Sequence, residues 1–438
     1  MQALLSFEQA PPISAPLRFF LTAPLFSILA GVLLLYSGPE IFSSRWTPAA
    51  LALTHLITVG FMLQVMLGAL QQLLPVVAGA NLVRPQTIAT LVHATITPGA
   101  LFLAAAFLTY EPLLFGCAVA FLATGVTIFV WAAARALYGI PTSNPTIRGF
   151  KLALLGLSVT AVSGLLLAAS LGLSLDFPLV QLTDLHLGWG LTAWGCSVLA
   201  AVSLVAVPMF QLTSEYPVWF ARSFAMTILG TVSLWTITDL AGWETLSTLF
   251  AALLVASGAM FSVMTLTILR HSKRPKHDAS HHFWRLAMSS ACVACAVWFA
   301  ARFVVEIGGW QGWPILFAVV LLYGGFISVT IGMLYKIVPF LVWLHLQNLG
   351  KGRVPAPNMK KVLPQLRIDR QLLCHILAFT LLLLAVFWPK WFFYPAGLAL
   401  IIANGWLLSN LHYAFAIYRN HLVAFEPASV SPVRKEGA

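Results

Sequence analysis

An all-α polytopic transmembrane bundle of about twelve helices, arranged as pseudo-threefold four-helix repeats, is the fold this sequence predicts. Three observations carry that expectation. The 438-residue chain is 60% hydrophobic and only 8% charged, with a mean hydropathy of +0.90, which no soluble domain of this length shows. Apolar runs of roughly 20 residues, the length that crosses a bilayer core, recur along the whole chain. Related proline-containing text also returns three times at a near-constant interval.

The apolar segments fall roughly at 16–38, 48–78, 87–109, 112–138, 148–172, 184–210, 217–240, 244–270, 283–306, 313–346, 371–389 and 392–418. Backbone groups in lipid must be satisfied within each segment, so these are helices and not an open sheet. Almost nothing is left for a soluble domain. The first segment follows MQALLSFEQAPPISAPLRFF, which has no basic n-region or small-residue cleavage site, and reads as retained. The five cysteines, Cys117, Cys196, Cys292, Cys295 and Cys374, all fall within segments, so no disulfide framework is expected.

A formal net charge of +11 could suggest nucleic acid as a partner. Its distribution excludes that. Basic residues crowd alternate loops: Arg84; Arg135, Arg148 and Lys151; Arg222; Arg270, Lys273, Arg274, Lys276 and Arg285; Lys351, Arg353, Lys360, Lys361, Arg367 and Arg370. The other loops carry Glu40, Glu111, Asp176, Asp184, Asp239, Glu244 and Glu306. This positive-inside pattern places both termini in the cytoplasm, with the lipid bilayer as the principal partner. Two longer basic loops, HSKRPKHDASHHF (with His271, His277, His281 and His282) and the stretch 348–370, read as solvated connectors facing lipid headgroups.

Segment 2 ends LGALQQLLPVVAG, segment 6 ends LVAVPMFQ, and segment 10 ends IGMLYKIVPFLVW. Their prolines, Pro75, Pro208 and Pro339, are 133 and 131 residues apart. A period of four helices in constant orientation implies parallel repeats about an axis along the membrane normal. The expected units are 371–438 together with 1–80, then 81–212, then 213–347. Each proline removes a backbone donor, which lets neighbouring helices part around a cofactor or cavity.

An ionisable side chain inside a membrane segment is costly and is by default a functional-site hypothesis. His55 lies near the start of segment 2, and Gly60, Gly68 and Pro75 follow it at +5, +13 and +20. His186 opens segment 6, two residues after Asp184 and ahead of Gly188, Gly190 and Gly195. Imidazole is a common axial ligand of haem iron and also suits copper and zinc. Small residues beneath such a histidine could admit a haem ring. A second group lies toward the other face: His93 on segment 3, His345 on segment 10, His375 on segment 11 and His412 on segment 12. His93 and His412 share a depth of roughly 10 Å from the edge, and both are candidate cofactor ligands. Met62 and Met66 share the face of His55, but seven residues span about 10 Å of helix, too far for one ion to bridge, so they read as packing. No nucleophile–base pair, phosphate loop or paired carboxylates are present, and no acidic residue sits mid-helix to relay protons or cations.

The spacing His, Gly at +5, Gly at +13, Pro at +20 resembles subunit I of the haem–copper oxidases, especially the cbb3 type, and the NnrS family. GMLYKIVPF in segment 10 and GALQQLLPVV in segment 2 look like the copper-ligand helix text of those oxidases. The resemblance implies twelve helices, cytoplasmic termini, heme b and copper. It implies a haem ligand at His55 and a metal ligand at His186. It covers the architecture of nearly the whole chain, but its motifs cover three helices. Segment 7 (VWFARSFAMTILGTVSLWTITDL) contains no histidine, and Val319 stands where segment 10 would match His55. The full oxygen-reducing centre is therefore missing. The expectation is a bacterial inner-membrane protein that binds haem and copper. It would serve electron transfer, nitric oxide or metal stress, or respiratory-complex assembly beside other respiratory membrane subunits. The other class open at this point is a permease for a small solute or metal.

Overall fold

The structure, a computed structural model, describes residues 6–350 and 356–425. Among them there is no strand, and twelve helices are long and apolar enough to cross a membrane. We number these α1 (Ser14–Phe42), α2 (Pro48–Ala78), α3 (Pro85–Thr109), α4 (Pro112–Leu137), α5 (Pro145–Leu173) and α6 (Leu179–Gln211). They continue as α7 (Val218–Leu240), α8 (Glu244–Arg270), α9 (Ala279–Phe303), α10 (Trp313–Leu349), α11 (Gln365–Phe387) and α12 (Pro389–Leu422). The protein is a multi-pass membrane protein. We call its ends the basic face and the acidic face, after the loops each carries.

Local chemistry sets the helix ends. Prolines open α2, α3, α4, α5 and α12, where the missing N–H costs nothing. Thr47, Asn144 and Asp278 cap α2, α5 and α9 by accepting from Ala50, Thr146 and His281 N–H. Gly79 takes a left-handed φ of +64° after α2, and the Gly79 and Ala80 amides close a Schellman pair on Pro75 and Leu74. Helices α6, α9 and α11 begin four to six residues earlier than hydropathy alone indicates, because their first turns are polar or proline-flanked.

Packing repeats three times. In one unit α3 packs on α4, α4 on α5 and α5 on α6; in the next α7, α8, α9 and α10 follow the same order. The third unit is permuted, running α11, α12, α1 and α2. In each unit the last helix carries a π-helical stretch: Leu56–Leu63 in α2, Trp189–Cys196 in α6 and Val319–Ile327 in α10. Each stretch ends 12 residues before its proline. A π turn inserts an extra residue and rotates the face beyond it. These three helices are well enclosed, with more than half of their apolar residues buried, whereas α7 lies mostly on the outside. Trp131, Trp391, Leu113 and Leu373 sit on the outer surface, where lipid accounts for their exposure.

Glycines allow the close crossings. A Cβ on Gly156 of α5 would strike the Ala193 and Trp194 backbone in the π stretch of α6. Gly31 of α1 and Gly397 of α12 lie against each other's carbonyl oxygens. Toward the basic face, Gln72 and Val76 of α2, Ala206 and Met209 of α6, and Ile337 of α10 line an apolar cavity of about 50 Å³. Phe7 closes it, edge-on to Phe340 at 5.4 Å.

Two loop expectations need correction. His281 is only 2% exposed and stacks on His277 at 3.9 Å, so this cluster is partly packed rather than wholly solvated. Asp278 pairs with Arg274 at 3.1 Å and with Lys336 of α10, which ties the loop to the bundle. Burial works to raise the Asp278 carboxyl, but the Lys336 hydrogen bond and charge, the His281 amide and Arg274 together hold it below its usual value. Residues 351–355 of the other loop lie outside the described residues; beyond them Val362 and Leu363 are buried.

Candidate metal centre

His55 ends the regular first turns of α2, immediately before the π stretch, and His186 precedes the π stretch of α6 by three residues. The fold brings the two rings together, with centres 6.5 Å apart and planes 17° from parallel. Both lie on the acidic side of the bundle. His55 Nδ1 is 2.8 Å from the Leu51 carbonyl one turn back. His186 Nδ1 is 3.0 Å from the Thr160 carbonyl of α5 and 3.3 Å from Ser163 Oγ. A carbonyl only accepts, so both histidines carry the proton on Nδ1. That leaves each Nε2 with a free lone pair, the arrangement seen when a second hydrogen bond orients a metal-ligating imidazole.

The walls are close. Phe107 of α3 lies 4.9 Å from the His55 ring. Gly164 of α5 admits the His186 ring where a Cβ would come within 2.7 Å of Cε1. Asp184, one half-turn before His186, is held by Arg45 at 3.2 Å. Beside it a hollow of about 460 Å³ opens on the acidic face, lined by Gln181, Asp184 and Asp239. Gln181 Nε2 donates to Asp239, which Ser247 also caps at 3.0 Å.

The chain matches no protein-family model and no curated protein.

The glycines do not leave open space beneath the histidines. Phe26 fills the place beside Gly60, Phe19 and Phe20 that beside Gly68, and Trp235 that beside Gly188. Among the described residues no three His, Cys, Asp or Glu side chains converge as a metal-ligand group. The remaining candidate ligands are separate. His93 Nε2 is 2.8 Å from Thr22 Oγ1, and its ring meets Phe19 edge-on. His412 is exposed on α12 with Nδ1 on the Leu408 carbonyl. Met62 and Met66 are buried in the core, as packing residues are.

Around His375 the fold assembles a cluster that the chain's linear order does not reveal. His375 is fully buried, stacks on Tyr323 at 4.6 Å and bonds Ser328 Oγ at 2.7 Å. The available signal was Gln371 and His375 at i, i+4, facing Asn404 and Asn410 on the next helix.

Proposed function

We propose that this is a bacterial inner-membrane protein that holds one metal centre between His55 and His186, near the periplasmic face. The observation that carries the reading is the facing pair of imidazoles with both Nε2 atoms free. Two imidazoles sharing an ion bind at N–metal distances of about 2 Å, which sets their ring centres about 6 Å apart. The observed 6.5 Å is close to that.

The donor set narrows the ion. Zinc takes four ligands, and this pair supplies two. Two imidazoles suit either haem iron, whose macrocycle provides the other four donors, or the soft ion Cu(I). The packing favours the bare ion, because aromatic rings already occupy the glycine positions a macrocycle would use. Either centre supplies one-electron chemistry when bound. The chain's own part is to orient both rings through Leu51 and Thr160 and to shield His55 with Phe107.

Kinship with subunit I of the haem–copper oxidases belongs to the same proposal. It is supported by three proline-bearing helices at one interval, each with a π stretch at the same place. Oxygen reduction is not proposed, since α7 has no histidine and Val319 occupies the α10 position. The role is metal handling or electron transfer beside respiratory membrane subunits. Orientation follows the basic loops, which face the cytoplasm under the positive-inside rule.

The test is metal analysis and absorbance of protein purified from copper- and haem-replete cells. One metal ion per chain, lost in both His55→Ala and His186→Ala, is the expected result; a Soret band that disappears in the same variants would assign the ion to haem. A folded, colourless, metal-free wild type would overturn the proposal.

A further inference from the structure

A second polar feature lies between α10, α11 and α12, away from the histidine pair. It begins at the basic face, where the Arg367 guanidinium stacks over Tyr413 at 4.3 Å. Asn410 Nδ2 donates to the Arg367 carbonyl at 3.2 Å and to Tyr335 Oη at 3.1 Å. One turn deeper, Gln371 Nε2 donates to the Ala403 carbonyl, with Asn404 alongside. A further turn brings His375, Tyr323 and Ser328. From Arg367 to His375 is eight residues, about 12 Å into the membrane.

Every rung is enclosed: Gln371, His375, Ser328, Asn404 and Asn410 are fully buried, and Tyr323 and Tyr335 nearly so. Yet one polar atom on almost every rung has no protein partner. These are Asn410 Oδ1, Gln371 Oε1 and His375 Nδ1, while the Tyr323 hydroxyl and the Asn404 amide lie within reach of each other. Three such atoms on successive turns would be destabilising if dry, because each forfeits its hydrogen bonds. Buried water is the general remedy where the site is polar and each molecule finds several partners.

The protonation of His375 follows from its neighbours. With Ser328 Oγ donating to the Tyr323 carbonyl at 3.1 Å, it accepts from His375 Nε2–H at 2.7 Å, the tautomer we assign. Nδ1 then carries an open lone pair at the inner end of the row. The titratable groups around it are Tyr323 and Tyr335 from α10 and Cys374 on its own helix, with Arg367 at the mouth; α9 presents the apolar ring of Phe283 at 5.3 Å.

We propose that this row binds a line of water that carries protons between the basic face and His375. A proton arriving through the line adds to Nδ1, and the imidazolium returns it along the same route, so no other reactant is consumed. The proposal is independent of the metal centre.

Exchange of the imidazole Cε1 hydrogen for deuterium, read by mass spectrometry on the whole protein in lipid nanodiscs, tests it. That reaction passes through the protonated ring and needs water at it. His375 should exchange within about tenfold of the exposed His412, where a dry buried group is protected by orders of magnitude. Gln371→Leu and Asn404→Leu should slow His375 about tenfold or more and leave His412 unchanged. Protection of His375 in the wild type would overturn the proposal, and so would fast exchange that neither variant slows. Where a variant fails to fold, hydroxyl-radical labelling of wild-type Tyr323 decides: oxidation of this buried ring supports the water line, and its absence refutes it.

Discussion

Two histidine sites in one bundle, one half-buried and one fully buried, are wired in opposite senses. At His55 and His186 the backbone takes the Nδ1 proton, and two Nε2 lone pairs are left free on near-parallel rings 6.5 Å apart. At His375 a serine takes Nε2–H, and the open Nδ1 looks along a row of amides and phenols. The first arrangement concentrates lone pairs, which is what a cation needs. The second places a single base at the end of a polar line, which suits a proton. Burial alone does not define the role of a membrane histidine; the partner of its other nitrogen does.

The largest effect that could break this comparison is loss of the metal. Either His55→Ala or His186→Ala should abolish binding, and the double variant should do no further harm, since each removes the same centre. His375→Phe should keep the full metal content, measured on the same preparation; metal loss there would erase the distinction. Gly164→Ala adds a methyl against the His186 ring and should weaken metal affinity about tenfold to a hundredfold, as loss of orienting contacts does, measured by competition with a chelator. Ser163→Ala should cost less, because the Thr160 carbonyl still holds Nδ1.

A further prediction concerns the basic face and stability rather than metal. Asp278→Asn removes the charge partner of half-buried Lys336 and should destabilise the protein by roughly 1 kcal/mol, read as a lower melting temperature in detergent. The pH sense follows from its depressed carboxyl. The folded state binds that proton less readily than the unfolded chain, so Asp278 contributes its stability above the ordinary carboxylate range and loses it as pH falls through the lower folded value. Wild-type melting temperature should therefore drop on acidification more steeply than that of Asp278→Asn.

Much of the fold was legible in the chain because lipid imposes strict rules on it. Apolar length and the interval between Pro75, Pro208 and Pro339 were sufficient for the spans and for the threefold order of packing. Boundaries drifted where a helix begins in polar text, as at Gln365 and Ala279. His55 and His186 could each be named, since an imidazole in an apolar run stands out. Their meeting could not, because residues 131 positions apart declare no contact. The row from Arg367 to His375 was harder still. Glutamine, asparagine and tyrosine are unremarkable singly, and only the apposition of α10, α11 and α12 shows that they align.

By itself, then, the sequence determined a twelve-helix membrane protein, its repeat, and the histidines that solvation makes expensive. These are one-dimensional quantities: apolar length, charge alternation and interval. Tertiary structure alone decided which histidines face each other, which ring nitrogen each leaves free, and which glycines are filled by aromatic rings. The physical reason is that hydrogen-bond direction and packing depend on how helices distant in the chain cross, and π turns in α2, α6 and α10 reset that geometry where the sites lie.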